Sequence, residues 1–323
     1  MTDEMVYAPD PRLADTAAEG LVIGSGRGGD WQVAVSGATL ACRLRGRLKA
    51  GRSRLDHLAV GDHVLVRASS EEPERGVIEA VLPRSNQLAR GRPGKPAQVI
   101  ASNLDQAVIV AAVSEPFLSL HTVDRFLALI TTAGLPAVLV LNKCDFDPTC
   151  EIREAVAEIY EPLGVRVLST SVATGAGLTA VDDALAARVS VIIGQSGTGK
   201  SSLLNALNPG YRLRTGTVMD IGKGRHTTTD SRLLPLDRGG WVADTPGIKT
   251  LQLVEGAVTA TALPELFPEF APFLDDCRFA DCTHREEPEC AVRDAVDEGE
   301  VATTRYDSYL RLYEEVAASS RAW

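Results

Sequence analysis

The order of three short motifs constrains this chain more than anything else in it. Gly194-Gln195-Ser196-Gly197-Thr198-Gly199-Lys200-Ser201 matches GxxxxGK[ST] in full. In that pattern backbone N–H groups wrap phosphates at the start of a helix. Asn142-Lys143-Cys144-Asp145, of the form NKxD, comes before it, and Asp244-Thr245-Pro246-Gly247, of the form DxPG, comes last. In a Ras-like domain the phosphate loop leads and NKxD follows. The reversed order implies one α/β domain that has been circularly permuted, so that its C-terminal end is the end of the switch region.

The surrounding pattern supports such a domain. Ala107-Val108-Ile109-Val110-Ala111-Ala112-Val113 is a continuous apolar run, as a strand buried on both faces requires. A helix is predicted over residues 122–132, a strand at Ala137-Val138-Leu139-Val140-Leu141 and a helix over 151–160. Two further strands follow, Val165-Arg166-Val167-Leu168 and Val189-Ser190-Val191-Ile192-Ile193. Strands alternating with helices make a doubly wound sheet, which binds ligands beyond the carboxyl ends of its strands. The phosphate loop lies between the last of these strands and a helix starting at Ser201-Ser202-Leu203. There Lys200 would reach the β- and γ-phosphates and the Ser201 hydroxyl would bind Mg²⁺. Asp145 would accept two hydrogen bonds from the N1–H and exocyclic amine of guanine, a donor pair that adenine lacks. Asn142 and Lys143 belong to the same loop, and Ser171-Val172-Ala173 has the place of a supporting guanine loop.

Residues 212–232 have little apolar periodicity and contain Gly224-Arg225-His226-Thr227-Thr228-Thr229. This suits a switch loop that orders when a hydroxyl grips Mg²⁺ and the γ-phosphate, with Thr228 the first choice and Thr227 next. Asp244 would hold Mg²⁺ through water, and the Gly247 N–H would meet the γ-phosphate. The next residue is Ile248, where Ras-type enzymes carry the glutamine that orients the attacking water. Slow intrinsic hydrolysis is therefore expected, with the water placed by another group or by a partner; His226 is the internal candidate.

Ahead of this domain the pattern changes. Leu21-Val22-Ile23, residues 31–35, 42–48, 63–67 and 77–82 read as five short strands between glycine turns, a small barrel with the OB fold as first choice. Arg43, Arg45 and Arg47 fall at period two on one face, and Lys49, Arg52 and Arg54 continue the basic run with no acid between. Overall net charge is −10, yet residues 21–100 hold thirteen Lys/Arg against seven Asp/Glu, while residues 264–323 hold six against fifteen. A basic barrel in an acidic chain fits contact with RNA backbone or duplex shape; scarce aromatics argue against base stacking. An ordinary solvated face is the alternative. Residues 83–96 read as a basic, Pro/Gly-rich linker. No apolar run approaches the roughly 18 residues of a membrane span. Residues 1–20 have no signal-peptide pattern and read as a disordered leader, so a cytoplasmic location is expected.

Near the end, Cys277-x4-Cys282-x-His284-x5-Cys290 places three thiols and an imidazole within fourteen residues. Four such ligands suit a closed, tetrahedral, structural Zn²⁺ site. Residues 304–317 read as a helix with Tyr306, Tyr309, Leu310 and Tyr313 on one stripe, expected to pack on its own domain.

Taken together, these motifs resemble one family, the circularly permuted ribosome small subunit-dependent GTPase A family (RsgA/YjeQ), over about residues 20–318. The likeness includes residues 83–90, Asn103-Leu104-Asp105-Gln106, NKxD, the phosphate loop with Ser202-Leu203-Leu204-Asn205-Ala206-Leu207, residues 224–229, DTPG and the zinc set. It implies a multidomain chain: a leader (1–20), an OB-fold RNA-binding barrel and linker (21–100), a permuted GTPase domain (101–255) and a helical zinc domain (256–323). It also implies Mg²⁺-dependent GTP hydrolysis to GDP stimulated by the 30S subunit, contact with 16S rRNA and release of other assembly factors. A monomer without membrane contact is expected. Two alternatives stay open: a permuted GTPase acting on another RNA or ribosomal target, and a GTP-controlled RNA-binding switch with little catalysis.

Overall fold

A computed structural model describes residues 17–25, 29–45, 58–92, 95–211, 213, 231–244 and 258–321. Three bodies follow one another along the chain. The first is a closed barrel of β1 (Ala18–Ser25), β2 (Trp31–Val35), β3 (Ala38–Leu44), β4 (His63–Ala68) and β5 (Arg75–Val81). Its strand order is β1-β2-β3-β5-β4, closed by β4 pairing back onto β1, with β3 and β5 parallel. Alternate residues point inward, and Val22, Val33, Cys42, Val64, Val66 and Ile78 form its core.

Three sequence expectations change here. β1 begins at Ala18, inside the stretch read as a leader, because residues 18–21 pair with residues 63–66 of β4. β3 begins at Ala38 and runs to Leu44, four residues ahead of the predicted start at Cys42, and residues 46–48 of that prediction lie outside the described residues. Ser36 and Gly37, at φ 48° and 84°, make the two-residue turn that pairs Val35 directly with Ala38. The stretch read as a linker contains a hairpin, β6 (Gln87–Arg92) and β7 (Lys95–Ser102), with Pro93-Gly94 between its strands. Leu88, Ile100 and Ala101 of the hairpin are buried in the core of the following domain, so it is structure, not spacer.

The second body is a sheet in the order β10-β9-β8-β11-β13-β12. β8 (Gln106–Ala112), β9 (Ala137–Asn142), β10 (Arg166–Ser169), β11 (Arg188–Ile193) and β13 (Gly240–Asp244) are parallel, and β12 (Arg232–Pro235) is antiparallel to β13. Every residue of β8 is buried, since helices cover both faces. Ile109 and Ala111 share a core with Val123, Phe126 and Leu127 of α1 (Leu120–Thr132) and Val156 and Tyr160 of α2 (Glu151–Tyr160). Val108 and Val110 face the other way, toward Val181 and Leu185 of α3 (Leu178–Leu185) and Leu203 and Leu204 of α4 (Lys200–Leu207).

Barrel and sheet are joined at Asp62, which is fully buried. Its Oδ1 accepts from Arg84 Nε at 2.6 Å and Ser102 Oγ at 2.7 Å, and its Oδ2 accepts from Ala59 N at 2.8 Å. Neighbouring Gly61, at φ +90°, lies so close that a Cβ would sit 1.9 Å from the Ser102 carbonyl oxygen. Asn86 locks the hairpin with a reciprocal pair to Leu104, Nδ2 to the carbonyl at 2.8 Å and Oδ1 from the N–H at 2.9 Å.

The third body, residues 258–321, is built from 3-10 segments at Pro264–Leu266 and Pro268–Asp276, then α5 (Ala291–Asp297) and α6 (Thr303–Arg321). Phe267, Phe270, Tyr309 and Leu312 form its core, which Ala128 of α1 completes from the sheet domain. No helix among the described residues is long and apolar enough to cross a membrane.

Candidate nucleotide site and cysteine–histidine cluster

The parallel strands end along one edge of the sheet. In register Ala112 lies opposite Asn142, Leu141 opposite Ser169, Ile109 opposite Ile193, and Ala243 opposite Val191. The loops leaving that edge carry Glu115, Asn142 to Asp145, Ser171 and Gly194 to Ser201, and β13 ends there at Asp244. Motifs separated by up to about a hundred residues therefore meet at a single place, where a doubly wound sheet binds ligands.

The phosphate loop owes its shape to backbone that only glycine accepts readily. Gly194, Gly197 and Gly199 have φ of 147°, 87° and 91°. A Cβ on Gly194 would lie 2.1 Å from the Val110 carbonyl oxygen, and one on Gly199 would lie 2.3 Å from Asn142 Nδ2. Lys200 opens α4 and arches back over the loop, its Nζ donating to the carbonyls of Gly194 at 2.7 Å and Gln195 at 2.5 Å. Thr198 is buried, Ser196 is exposed, and Ser201 and Ser202 are half-buried in the first turn of α4.

Asn142 is buried and donates from Nδ2 to the Thr198 carbonyl at 2.8 Å, tying NKxD to the phosphate loop. Its Oδ1 is buried without a hydrogen-bond partner among the described residues. Lys143 stands at φ 63°, and its ammonium donates to the Glu115 carbonyl. Asp145 Oδ1 accepts from Ser171 Oγ at 2.6 Å, which leaves its other oxygen for a ligand. Val172 packs against the core beneath. Two contacts had no sequence signal: Gln195 Nε2 donates to Thr122 Oγ1 at 3.1 Å, and Thr170 Oγ1 donates to the Ala176 carbonyl at 2.9 Å. Thr227, Thr228, His226, Gly247, Ile248 and the Asp244 side chain lie outside the described residues.

The barrel's arginines are less free than their spacing implied. Arg45 and Arg67 both bind the fully buried carboxylate of Glu79, Arg67 at 2.5 Å, and Arg43 binds Asp30 at 2.6 Å. The acids come from other strands and loops, so a run with no acid in sequence is flanked by acids in space. Arg43 and Arg67 remain 60% and 53% exposed; Arg47, Lys49, Arg52 and Arg54 lie outside the described residues.

The four residues of the C-terminal set converge, with all ligating atoms within 4.8 Å of one another. His284 Nδ1 is 3.5 Å from both Cys277 Sγ and Cys290 Sγ, and those sulfurs are 4.0 Å apart. Sulfurs on one tetrahedral zinc at ~2.3 Å sit about 3.8 Å apart, so the cluster is compatible with zinc. Burial lowers the His284 pKa, which favours the neutral imidazole a metal needs. Burial also pushes the Cys282 thiol up to about 12 and raises Cys290. Such thiols keep their protons unless a cation offsets the cost.

The tyrosine stripe of α6 supports this loop directly. Tyr306 and Tyr309 donate to the backbone carbonyls of His284 and Thr283, each at 2.7 Å. Glu287 accepts from Thr283 N at 2.9 Å and Arg285 N at 3.0 Å. The stripe faces its own domain, as expected, but its hydroxyls do a second job that periodicity could not show.

Fold and site together define a P-loop α/β domain with permuted motifs, set between an OB-type barrel and a cysteine–histidine module. Comparison with known proteins narrows this. The RsgA GTPase family model matches residues 81–254, from the last residue of β5 onward, and so takes in the hairpin as well as the sheet domain. The small ribosomal subunit biogenesis GTPase RsgA of Gemmatimonas aurantiaca is 41% identical over 309 residues, spanning 94% of this chain and 99% of the relative. Its namesake in Moorella thermoacetica is 41% identical over 297 residues, spanning 92% and 97%. The crystal structure of YjeQ from Thermotoga maritima superposes with a TM-score of 0.76 at 36% identity, covering 93% of this chain and 99% of that one. YloQ, a circularly permuted GTPase, superposes at 0.72 with 30% identity, covering 94% and 96%. The chain belongs to the RsgA GTPase family and is a GTPase.

Proposed function

We propose that this GTPase acts in biogenesis of the small ribosomal subunit, that it binds the 30S particle and its 16S rRNA, and that the particle stimulates its turnover. The observation carrying this reading is the convergence of NKxD, Ser171 and the phosphate loop on one sheet edge. It occurs in a chain that aligns over 94% and 92% of its length with relatives named for that role.

The residues take the following parts. Asp145, oriented by Ser171, reads the guanine N1–H and amine, with Asn142 and Lys143 holding its loop to the phosphate side; Val172 backs the base. Gly194 to Gly199 and Ser202 supply donors around the phosphates, and Lys200 swings from its carbonyls to the β/γ oxygens. Ser201, Thr228 and, through water, Asp244 would hold Mg²⁺. When bound, Mg²⁺ offsets the charge that builds between the β- and γ-phosphates. The Gly247 N–H meets the γ-phosphate. With Ile248 unable to orient water, His226 or a group on the subunit does so. Cys277, Cys282, His284 and Cys290 hold one structural Zn²⁺. The exposed parts of Arg43, Arg45 and Arg67 give the barrel an rRNA-facing surface. Subunit binding in the cytoplasm then couples hydrolysis to departure of this and other assembly factors.

The test is GTP hydrolysis by the purified chain alone, with 30S subunits and with 50S subunits. Strong stimulation by 30S only is expected. Equal rates in all three would remove the ribosome-activated reading and leave a GTP switch with another partner.

A further inference from the structure

Helix α1 touches two bodies at once. Its first turn is attached to the phosphate loop, because Gln195 Nε2 donates to Thr122 Oγ1 at 3.1 Å. Thr122 in turn donates to the N-cap hydroxyl of Ser119 at 3.1 Å, and Ser119 Oγ accepts from Thr122 N at 3.3 Å. The cavity between this turn and the phosphate loop, lined by Thr122, Val123, Gln195 and Thr198 among others, measures about 10 Å³. That is room for about one water. Packing this close transmits displacement, so the loop follows if the helix end moves.

Two residues along, α1 is fastened to the C-terminal module. Asp124 is fully buried, and its Oδ1 accepts from Tyr160 Oη at 2.6 Å and Arg305 Nη1 at 2.7 Å. Arg305 is itself only 4% exposed. It donates to both oxygens of Glu269, at 2.6 and 3.1 Å, and its guanidinium lies 4.6 Å above the Phe267 ring. One buried cation thus bridges carboxylates from two bodies, while Asp124 Oδ2 is buried with no donor among the described residues. Burying charges costs so much solvation that an apolar contact of the same volume holds surfaces together as well or better. The ion pair instead selects one seating of α6 on α1, since sliding either helix would leave a buried charge unpaired.

We infer that Arg305 is a positioning residue for the nucleotide site, acting through Asp124 and α1 on Gln195 and the phosphate loop, so that the C-terminal module and the nucleotide site are energetically coupled. The inference rests on residues 194–201 being the nucleotide site. Coupling of this kind is reciprocal, so nucleotide must also steady the module.

The experiment uses the full zinc-loaded chain and N-methylanthraniloyl-GDP as the probe. Dissociation constants are measured for wild type, Arg305→Met, Thr122→Val, the double variant and Thr122→Ser. Amide hydrogen exchange of residues 194–207 and 303–318 is followed with and without GDP. Arg305→Met should weaken GDP binding by about 2- to 30-fold, the range of long-range couplings. It should speed exchange in the phosphate loop. Thr122→Val should have the same sign of effect, the double variant should fall well short of the product of the two, and Thr122→Ser should restore affinity. In wild type GDP should slow exchange in α6, and in Thr122→Val that response should vanish. Unchanged affinity in a folded Arg305→Met, or independent multiplying effects, would overturn the inference. If Arg305→Met does not fold, an unaltered α6 response to GDP in Thr122→Val overturns it alone. Failure of wild type to bind the probe would instead sink the nucleotide-site reading.

Discussion

The phosphate loop and the cysteine–histidine loop are both irregular segments held in a single shape, and they are held by opposite means. The phosphate loop is a backbone construction. Glycines at positive φ set its path and allow its close approach to the Val110 carbonyl and to Asn142, and Lys200 and Gln195 brace the path so set. The cysteine–histidine loop is a side-chain construction. Glu287 gathers backbone N–H groups from inside the loop, and two tyrosines from α6 catch its carbonyls from outside. Backbone that must wrap an anion needs its own N–H groups free and its Cβ atoms absent. A loop that must aim four side chains at one point needs the reverse.

The largest break in this comparison should come from stripping the proposed zinc. Zinc contributes on the order of 10 kcal/mol in small zinc modules. A chelator, or Cys290→Ser, should therefore unfold residues 258–321 and leave the parallel sheet intact. Amide exchange resolved along the chain checks this; equal protection of the module before and after stripping would show that the tyrosines and Glu287 suffice. On the other side, Gly199→Ala should abolish tight GDP binding. A strained φ plus the collision with Asn142 costs about 3 kcal/mol or more, roughly 100-fold in affinity, while a melting curve should move little. Asp145→Asn should cost GTP about 100-fold or more but leave binding of the phosphate portion alone, as competition by pyrophosphate would show.

Smaller changes sharpen the contrast. Tyr309→Phe removes one hydrogen bond to the Thr283 carbonyl and should cost about 1 kcal/mol of module stability in urea titration, with nucleotide affinity held. The smallest effect is a pH slope at Glu287. Burial acts against its charge, but the Thr283 hydroxyl and the N–H groups of Thr283 and Arg285 outweigh it and bring its pKa down to about 2. A folded pKa below the unfolded value of about 4.3 means stability that is full above that value and fades as pH falls toward 2. The stability gap between wild type and Glu287→Gln should close over that window; a gap independent of pH would mean that Glu287 acts by shape alone.

Much of the site was legible before the fold. The phosphate loop, NKxD and the zinc set are each defined by residues within fourteen positions of one another, and glycine, lysine, aspartate and cysteine carry their chemistry wherever such a segment lies. The barrel's five strands could be read from period-two alternation and glycine turns. The hairpin at residues 87–102 was missed because its Pro, Gly and arginines match a spacer in composition, while its buried side, Leu88, Ile100 and Ala101, is visible only against the sheet it covers. The acid partners of the arginine face are illegible for a related reason: Glu79 lies 34 residues from Arg45 and shares no local pattern with it.

Local patterns along the chain carry the chemistry of this protein and the order of its parts: a permuted GTP site between a barrel and a Cys₃His module. Those properties rest on local spacing and on single-residue φ and ligand preferences, which a chain expresses over a few residues. How the parts are joined emerges from contacts in three dimensions. The Asp62–Ser102 bond that fastens the barrel closes over 40 residues, and the Arg305–Asp124 pair that fastens the module closes over 181. A buried charge selects its partner by desolvation and distance in space, and distance along the chain carries no information about either.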